Sequence, residues 1–376
     1  MNYKKTYEKY LTKFIYPSIK SSKISFKKKL YKYFIIIPLY KERHYIAKTL
    51  DSLNNQNNTY LSNTLIVLII NNSQNCSKDV VNDNYFTEQL IHSKQYNFEY
   101  ALLDYYSKGN ALNNKKFGVG LIRKIGIDFT LQYSTKNSLL FCLDADCIVS
   151  INYLENIIKH YNKYNFQVAT VNFKHQKSND PEIEYAIRIY EKELYNMAKK
   201  IKQSNSPYGY VSMGSTIVCA ASAYIAVRGM PTYKAAEDFY FLQALAKFTK
   251  IYQIKDVLVY PSSRIEQRVY LGTGYRMMEY KKNKNFNNLF FPNEVYETLN
   301  KLICFINNNY DNSYENFKQE LNKTFNDKIC NFLYNHNIEK FWKNIYENSK
   351  TKKQFMLFFH QWFDALKIVQ FFKYLK

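Results

Sequence analysis

Hydrophobic and polar positions follow two textures along this chain, and the change comes near Tyr280. From Tyr33 to about Tyr280, short continuous apolar runs alternate with stretches that are apolar every third or fourth residue. Phe34-Ile35-Ile36-Ile37 reads as a buried strand, and Ile46, Leu50 and Leu53 then fall on one face of a helix. Residues 65–70 give a second strand, ending at the polar cluster Asn71-Asn72-Ser73. A helical pattern covers 117–133. Residues 139–143 form a third strand that stops at Asp144-Ala145-Asp146, and a helix over 153–161 leads to a strand over 168–173. Strands of near-continuous hydrophobicity set between amphipathic helices predict an α/β fold: a mixed, mainly parallel sheet covered by helices on both faces.

Beyond Tyr280 the chain is Asn-rich and charged, with helical but no strand signals. Phe355, Phe359, Trp362, Leu366, Val369 and Phe372 then fall at three- and four-residue spacing, one stripe of a helix. Such a stripe is expected to be core, packing back on the main domain; a helix lying in a membrane interface is the lesser alternative. Residues 1–33 hold ten Lys and one Glu with little apolar periodicity, which predicts a solvated basic arm, with a membrane-touching one as the alternative. The expected organisation is an arm over 1–32, an α/β domain over 33–280 and a helical appendage over 281–376.

With 46% hydrophobic and 18% aromatic residues, a chain of 376 residues can build a large core, so wholesale disorder is excluded. No apolar run approaches the roughly 20 residues of a membrane span, and lysines interrupt the start where a secretory signal would need an apolar core. A surplus of 53 Lys+Arg over 31 Asp+Glu gives +22, which favours an anionic partner. Yet only seven of the basic residues are Arg, the residue that phosphate and base recognition favours. Nucleic acid is therefore disfavoured, while a peripheral contact with an anionic membrane stays open. The six cysteines include no Cys-x-x-Cys pair, so a zinc ribbon is excluded and a cytoplasmic setting is expected.

In open α/β sheets ligands bind beyond the carboxyl ends of the strands. Tyr40-Lys41-Glu42, Asn71-Asn72-Ser73 and Asp144-Ala145-Asp146 should therefore converge at one rim. Two carboxylates as close as Asp144 and Asp146 call for compensation, which Mg2+ or Mn2+ supplies while completing its shell with phosphate oxygens and water; a plain strand-end turn explains the same residues without a metal. Glu237-Asp238 opens a helical pattern over 239–248. These acids either answer the helix dipole or stand at a cleft to take a proton from an attacking hydroxyl. Arg264 and Arg268, followed by Gly272-Thr273-Gly274, suit a diphosphate clamp, with surface ion pairs as the alternative. Gly118-Val119-Gly120 lacks a third Gly and does not directly follow a strand, so a dinucleotide fingerprint is rejected. His175 is a satisfied structural histidine or, at longer odds, a neighbour of a metal.

Together, Ile36-Ile-Pro-Leu-Tyr-Lys-Glu42, Thr49-Leu-Asp-Ser-Leu53, Asn71-Asn-Ser73, Gly118-Val-Gly-Leu-Ile-Arg-Lys124, Leu143-Asp-Ala-Asp146 and Ala236-Glu-Asp-Phe-Tyr-Phe-Leu242 resemble family 2 glycosyltransferases of the GT-A fold, over about two-thirds of the chain. The resemblance is nearest to a bacterial subgroup. It implies a UDP- or GDP-sugar donor bound by Pro38, Glu42, Asn71, Asn72, Arg123, Asp144, Arg264 and Arg268. It further implies a divalent cation (Mg2+ or Mn2+) on Asp146 and Asp144, with Asp238 as general base and Glu237 beside it at the acceptor. Relatives carry a Gln-x-x-Arg-Trp motif near Arg264 and Arg268; the Trp is absent here.

The implied reaction is inverting, metal-dependent transfer of a sugar to an acceptor hydroxyl, with a glycan or lipid-linked glycan as acceptor in polysaccharide synthesis. A nucleotidyltransferase would share the sheet and the acidic residues, but Tyr40-Lys-Glu-Arg-His44 holds no Gly with which to cradle a triphosphate. A non-enzymatic basic binding module would explain the lysines but not the acidic pairs.

Overall fold

The computed structural model describes residues 3–16, 23–25, 30–113, 118–266, 271–286 and 289–376. These divide into two compact units, one of Met1–Glu191 with Ser212–Lys284 and one of Lys192–Val211 with Asn285–Lys376.

In the first unit the chain runs α1 (Tyr3–Lys13), β1 (Lys23–Ser25), β2 (Tyr33–Leu39), α2 (Ile46–Asn54), α3 (Asn58–Leu61), β3 (Thr64–Asn71), α4 (Lys78–His92) and β4 (Glu99–Tyr105). It continues through α5 (Val119–Thr130), β5 (Leu139–Cys142), β6 (Ile148–Val149), α6 (Tyr153–Tyr164), β7 (Val168–Phe173) and α7 (Pro181–Gln203), whose last turns belong to the second unit. Then come β8 (Ile217–Ala220), α8 (Ala221–Ala226), α9 (Glu237–Phe248), β9 (Tyr252–Tyr260) and α10 (Thr273–Asn283). One nine-stranded sheet results, in the order β1-β4-β3-β2-β5-β8-β7-β9-β6.

Strands β4, β3, β2 and β5 are mutually parallel, β8 is antiparallel to both its neighbours, and β7 and β9 are parallel. All eight residues of β3 are buried, although alternate side chains point to opposite faces, so both faces are covered. This is the expected mixed α/β sheet.

Pro38 sits inside the central strand β2, where a missing N–H should cost a ladder bond. The register removes the conflict. Ile36 C=O accepts from Leu143 on the β5 side, so Pro38, two residues on, faces that same side, and β5 has already ended at Cys142 opposite Ile36. Pairing with β3 continues past it, Pro38 opposite Ile69.

The expectation of a solvated arm is corrected over residues 3–16. Tyr10 of α1 is 1% exposed, and its hydroxyl donates to Asp128 Oδ1 at 2.6 Å and accepts from Lys124 Nζ at 2.7 Å. Asp128 also accepts from Tyr224 OH at 2.8 Å and Tyr16 N–H at 2.8 Å, and pairs with Lys124 at 3.0 Å. The lysines mask a docking face built from tyrosines, whose polar tips reach a buried carboxylate. Asp128→Asn keeps the shape but removes the charge that these donors share. It is expected to cost about 2–3 kcal/mol, read from urea unfolding; an unchanged midpoint would show that the network adds nothing.

The second unit adds α11 (Asn293–Asn308), α12 (Tyr314–Thr324), α13 (Asp327–Asn335), α14 (Ile338–Asn348), α15 (Lys352–Trp362) and α16 (Ala365–Leu375) to the end of α7. Trp342 stacks on Phe317 with ring centroids 3.6 Å apart and donates to Asn312 C=O at 2.9 Å. The C-terminal aromatic stripe is two helices rather than one. Asp364 breaks it, capping Lys367 N–H at 3.1 Å, and the break resets the phase. Phe355, Phe359, Ile368, Phe371 and Phe372 are consequently buried, while Leu366 and Val369 are only partly so. Their partners lie within this unit: Phe355 packs on Trp342, Phe371 on Phe332 and Phe372 on Tyr296. Among the described residues, no helix is long and apolar enough to cross a membrane.

Candidate functional site

The three polar segments do meet at one rim, because β3, β2 and β5 are adjacent and parallel. The Asp144-Ala145-Asp146 turn is fixed from both sides. Thr49 Oγ1 donates to Ala145 C=O at 2.7 Å, and Gln176 Nε2 donates to Asp146 C=O and Tyr260 C=O, each at 2.8 Å. Gln176 gave no signal in the sequence, since a lone Gln after a strand carries no pattern.

Arg123 of α5 is the centre of one cluster. It is 3% exposed and ion-paired to Asp144 through Nη2 and to Glu237 through Nη1. Burial alone would favour the neutral guanidine, but the two carboxylates outweigh it and hold Arg123 charged. Gly214 makes room for this group: a Cβ there would lie 2.5 Å from Arg123 Nη2. Gly120 has the matching task on the helix, where a Cβ would meet Pro231 C=O at 2.5 Å and Glu237 Cβ at 2.9 Å. The Gly118-Val119-Gly120 pair is thus a packing feature that lets the segment before α9 approach α5.

Glu237 and Asp238 open α9 directly after Ala236, whose left-handed backbone (φ 60°) turns the chain into the helix. Glu237 is 4% exposed, and burial pushes its carboxyl up to about 7; Arg123 pulls it back while Asp238 and Asp144 push it further. Asp238 is only partly buried and accepts from Phe239 N–H at 2.7 Å. Burial raises its pKa too, opposed by Arg123 and reinforced by Asp144. Asp144, Glu237 and Asp238, far apart in the chain, therefore share one electrostatic environment.

Arg264 centres the second cluster. Its guanidinium grips Glu42 through two bonds of 2.9 and 2.7 Å, reaches Asp146 Oδ2 at 3.1 Å, and lies over the Tyr45 ring at 4.2 Å. The partner expected for it, Arg268, lies outside the described residues. Asn71 and Asn72, both 2% exposed, turn their amides into the protein: Asn71 donates to Leu39 C=O at 2.8 Å, and Asn72 accepts from Asn84 at 3.0 Å. They shape the floor of the rim. His175 is a structural histidine, its Nδ1 2.9 Å from Glu191 and its Nε2 3.3 Å from Thr273.

The donor set at 144–146 consists of hard carboxylate oxygens, with the Asp144 and Asp146 side chains 37% and 18% exposed. Among the described residues, no group of three or more His, Cys, Asp or Glu is placed to hold a metal ion. These two carboxylates fit Mg2+ or Mn2+ in the manner that leaves most of the shell to phosphate and water. Cys147, next in the chain, is buried, and burial raises its thiol well above the ordinary range.

Residues 34–219 match the family model described as Glycosyl transferase family 2. Over these residues the chain is a family 2 glycosyltransferase. This glycosyltransferase is an enzyme that moves a sugar from a nucleotide-sugar donor. No curated protein sequence matches it. Among solved structures it is similar to S. aureus TarS 1–349 in complex with UDP-GlcNAc, at 16% identity over 77% of this chain and 76% of that one, with a TM-score of 0.44. It is also similar to the mannosyltransferase PcManGT from Pyrobaculum calidifontis in complex with GDP-Man and Mn2+, at 12% identity over 96% and 94%, with a TM-score of 0.43.

Proposed function

We propose that this glycosyltransferase works by inverting, metal-assisted transfer to an acceptor hydroxyl, with Asp238 as the general base. The observation that carries this reading is the gathering of Asp144, Glu237 and Asp238 around the buried guanidinium of Arg123. Of the two acids that open α9, Glu237 is turned onto Arg123 and sealed from solvent, so it positions; Asp238 is the one an acceptor can reach.

Asp238 takes the acceptor's proton as that oxygen attacks the anomeric carbon. The bond from that carbon to phosphate breaks, and its electron pair leaves with the nucleoside diphosphate. A base with a raised pKa is well matched to this work near neutral pH. Asp144 and Asp146 would hold the cation, which when bound supplies positive charge opposite the departing diphosphate. Pro38, Glu42, Asn71 and Asn72 border the nucleoside, and Arg264 faces the diphosphate, where preorganised donors count most. The acceptor is a glycan or lipid-linked glycan and the donor a UDP- or GDP-sugar, with synthesis on the cytoplasmic side and a basic surface that suits contact with an anionic membrane.

The test is a panel of UDP- and GDP-sugars with Mn2+ and with EDTA, scored by nucleotide release. One donor is expected to turn over, and EDTA to suppress it by about 100-fold or more. Full turnover in EDTA would remove the cation from this scheme.

A further inference from the structure

Arg264 stands where two requirements collide. Glu42 and Asp146 come from the ends of different strands, and their carboxylates would repel each other at this range without a cation between them. Arg264 supplies that charge: two hydrogen bonds to Glu42 at 2.9 and 2.7 Å and an ion pair from Nε to Asp146 at 3.1 Å. Its plane is fixed by the Tyr45 ring 4.2 Å below. Glu42 is 6% exposed, so an uncompensated charge there would be costly. Arg264 itself belongs to no helix or strand; it lies in the extended segment that follows β9.

We propose that Arg264 is an internal counter-ion for Asp146 and Glu42, and that it and a divalent cation exclude each other at Asp146. The guanidinium occupies one oxygen of the carboxylate assigned to the cation, and its charge repels a second positive centre there. A nucleoside diphosphate offers the same guanidinium a second planar set of oxygens. Occupation of the donor site therefore frees Asp146 at the moment the cation is needed. The consequence is an order of events: the enzyme alone holds a cation weakly, and donor and cation enter as a coupled pair. Arg264 is here a positioning residue whose two partners are used in turn. The proposal rests on the assignment of Asp146 to the cation.

The experiment measures binding of Mn2+ alone, without nucleotide, by the loss of the free Mn2+ signal in electron paramagnetic resonance. Wild type, Arg264→Met, Arg264→Lys, Asp146→Asn and the double variant Arg264→Met with Asp146→Asn are compared. Removing a competing charge is expected to tighten Mn2+ binding by about 10-fold in Arg264→Met, the size of an ordinary coupling between sites. Arg264→Lys should fall between, since an ammonium keeps the charge but cannot hold both partners in one plane. Thermal melting supplies a second sign: Arg264→Met should melt below wild type without metal and gain more than wild type when Mn2+ is added. If Arg264→Met and the double variant Arg264→Met with Asp146→Asn bind Mn2+ equally, the cation assignment itself falls and the inference with it. If Asp146→Asn abolishes binding but Arg264→Met binds no tighter than wild type, the cation site stands and the exclusion is overturned. Should Arg264→Met fail to fold, Arg264→Lys decides by the same comparison.

Discussion

Asp238→Asn is expected to reduce sugar transfer by about 100- to 10,000-fold, the range that a positioned general base contributes, while leaving the affinity for the nucleotide sugar nearly unchanged. The split follows from what the side chain touches. Asp238 Oδ1 accepts from the Phe239 N–H of its own helix at 2.7 Å, a bond that an Asn oxygen can keep, so the start of α9 should hold its shape. Only the capacity to take a proton is lost. Glu237→Gln should behave differently, because Glu237 bonds Arg123 and is sealed from solvent: its loss disturbs geometry and shows in stability as well as in rate. Isothermal titration with the donor beside turnover separates the two. Should donor affinity fall in step with transfer in Asp238→Asn, this carboxylate belongs to donor binding and the base must be sought elsewhere.

The sheet was legible because its central strands are apolar without interruption. Ile35, Ile36 and Ile37, all eight residues of β3 and the run Leu139–Cys142 are buried, and burial on both faces leaves no alternation to misread. The rim was legible for the same reason: the polar residues that follow such strands mark their carboxyl ends, although Asn71 and Asn72 turn their amides inward. What stayed hidden was the partner of each carboxylate. Asp144 and Glu237 are remote in the chain, and nothing local to either reveals that both bond Arg123, since the link needs α5 and α9 side by side at Gly120. Docking of α1 was hidden because ten lysines dominate the first 33 residues, while the contact is made by Tyr10 and the backbone at Tyr16. The break at Asp364 was missed because an Asp inside an aromatic stripe looks like its solvent face until its carboxylate is seen capping Lys367.

Arg123→Met should abolish transfer and destabilise the protein, and its cost should grow with pH. In the native enzyme one guanidinium faces Asp144 and Glu237 directly, with Asp238 close enough to feel its charge. Glu237 already has its pKa raised from the ordinary 4.5 to about 7. Between those values the folded chain keeps a proton that the unfolded chain has released, so wild-type stability falls as pH rises through that window. Arg123 opposes the shift; without it the folded pKa rises further, and the decline steepens and extends above neutrality. Well below pH 4.5 Glu237 is protonated in both states and the substitution should cost little through this route. Near pH 8 the penalty should approach the ~3–5 kcal/mol of a buried charge stripped of its partner. Urea unfolding from pH 5 to pH 8 measures this directly. Glu237→Gln in the Arg123→Met background should flatten the dependence, since the group that must ionise without a partner is gone. A penalty that stays constant across that pH range would mean that Arg123 stabilises by packing, and that the carboxylates do not depend on it.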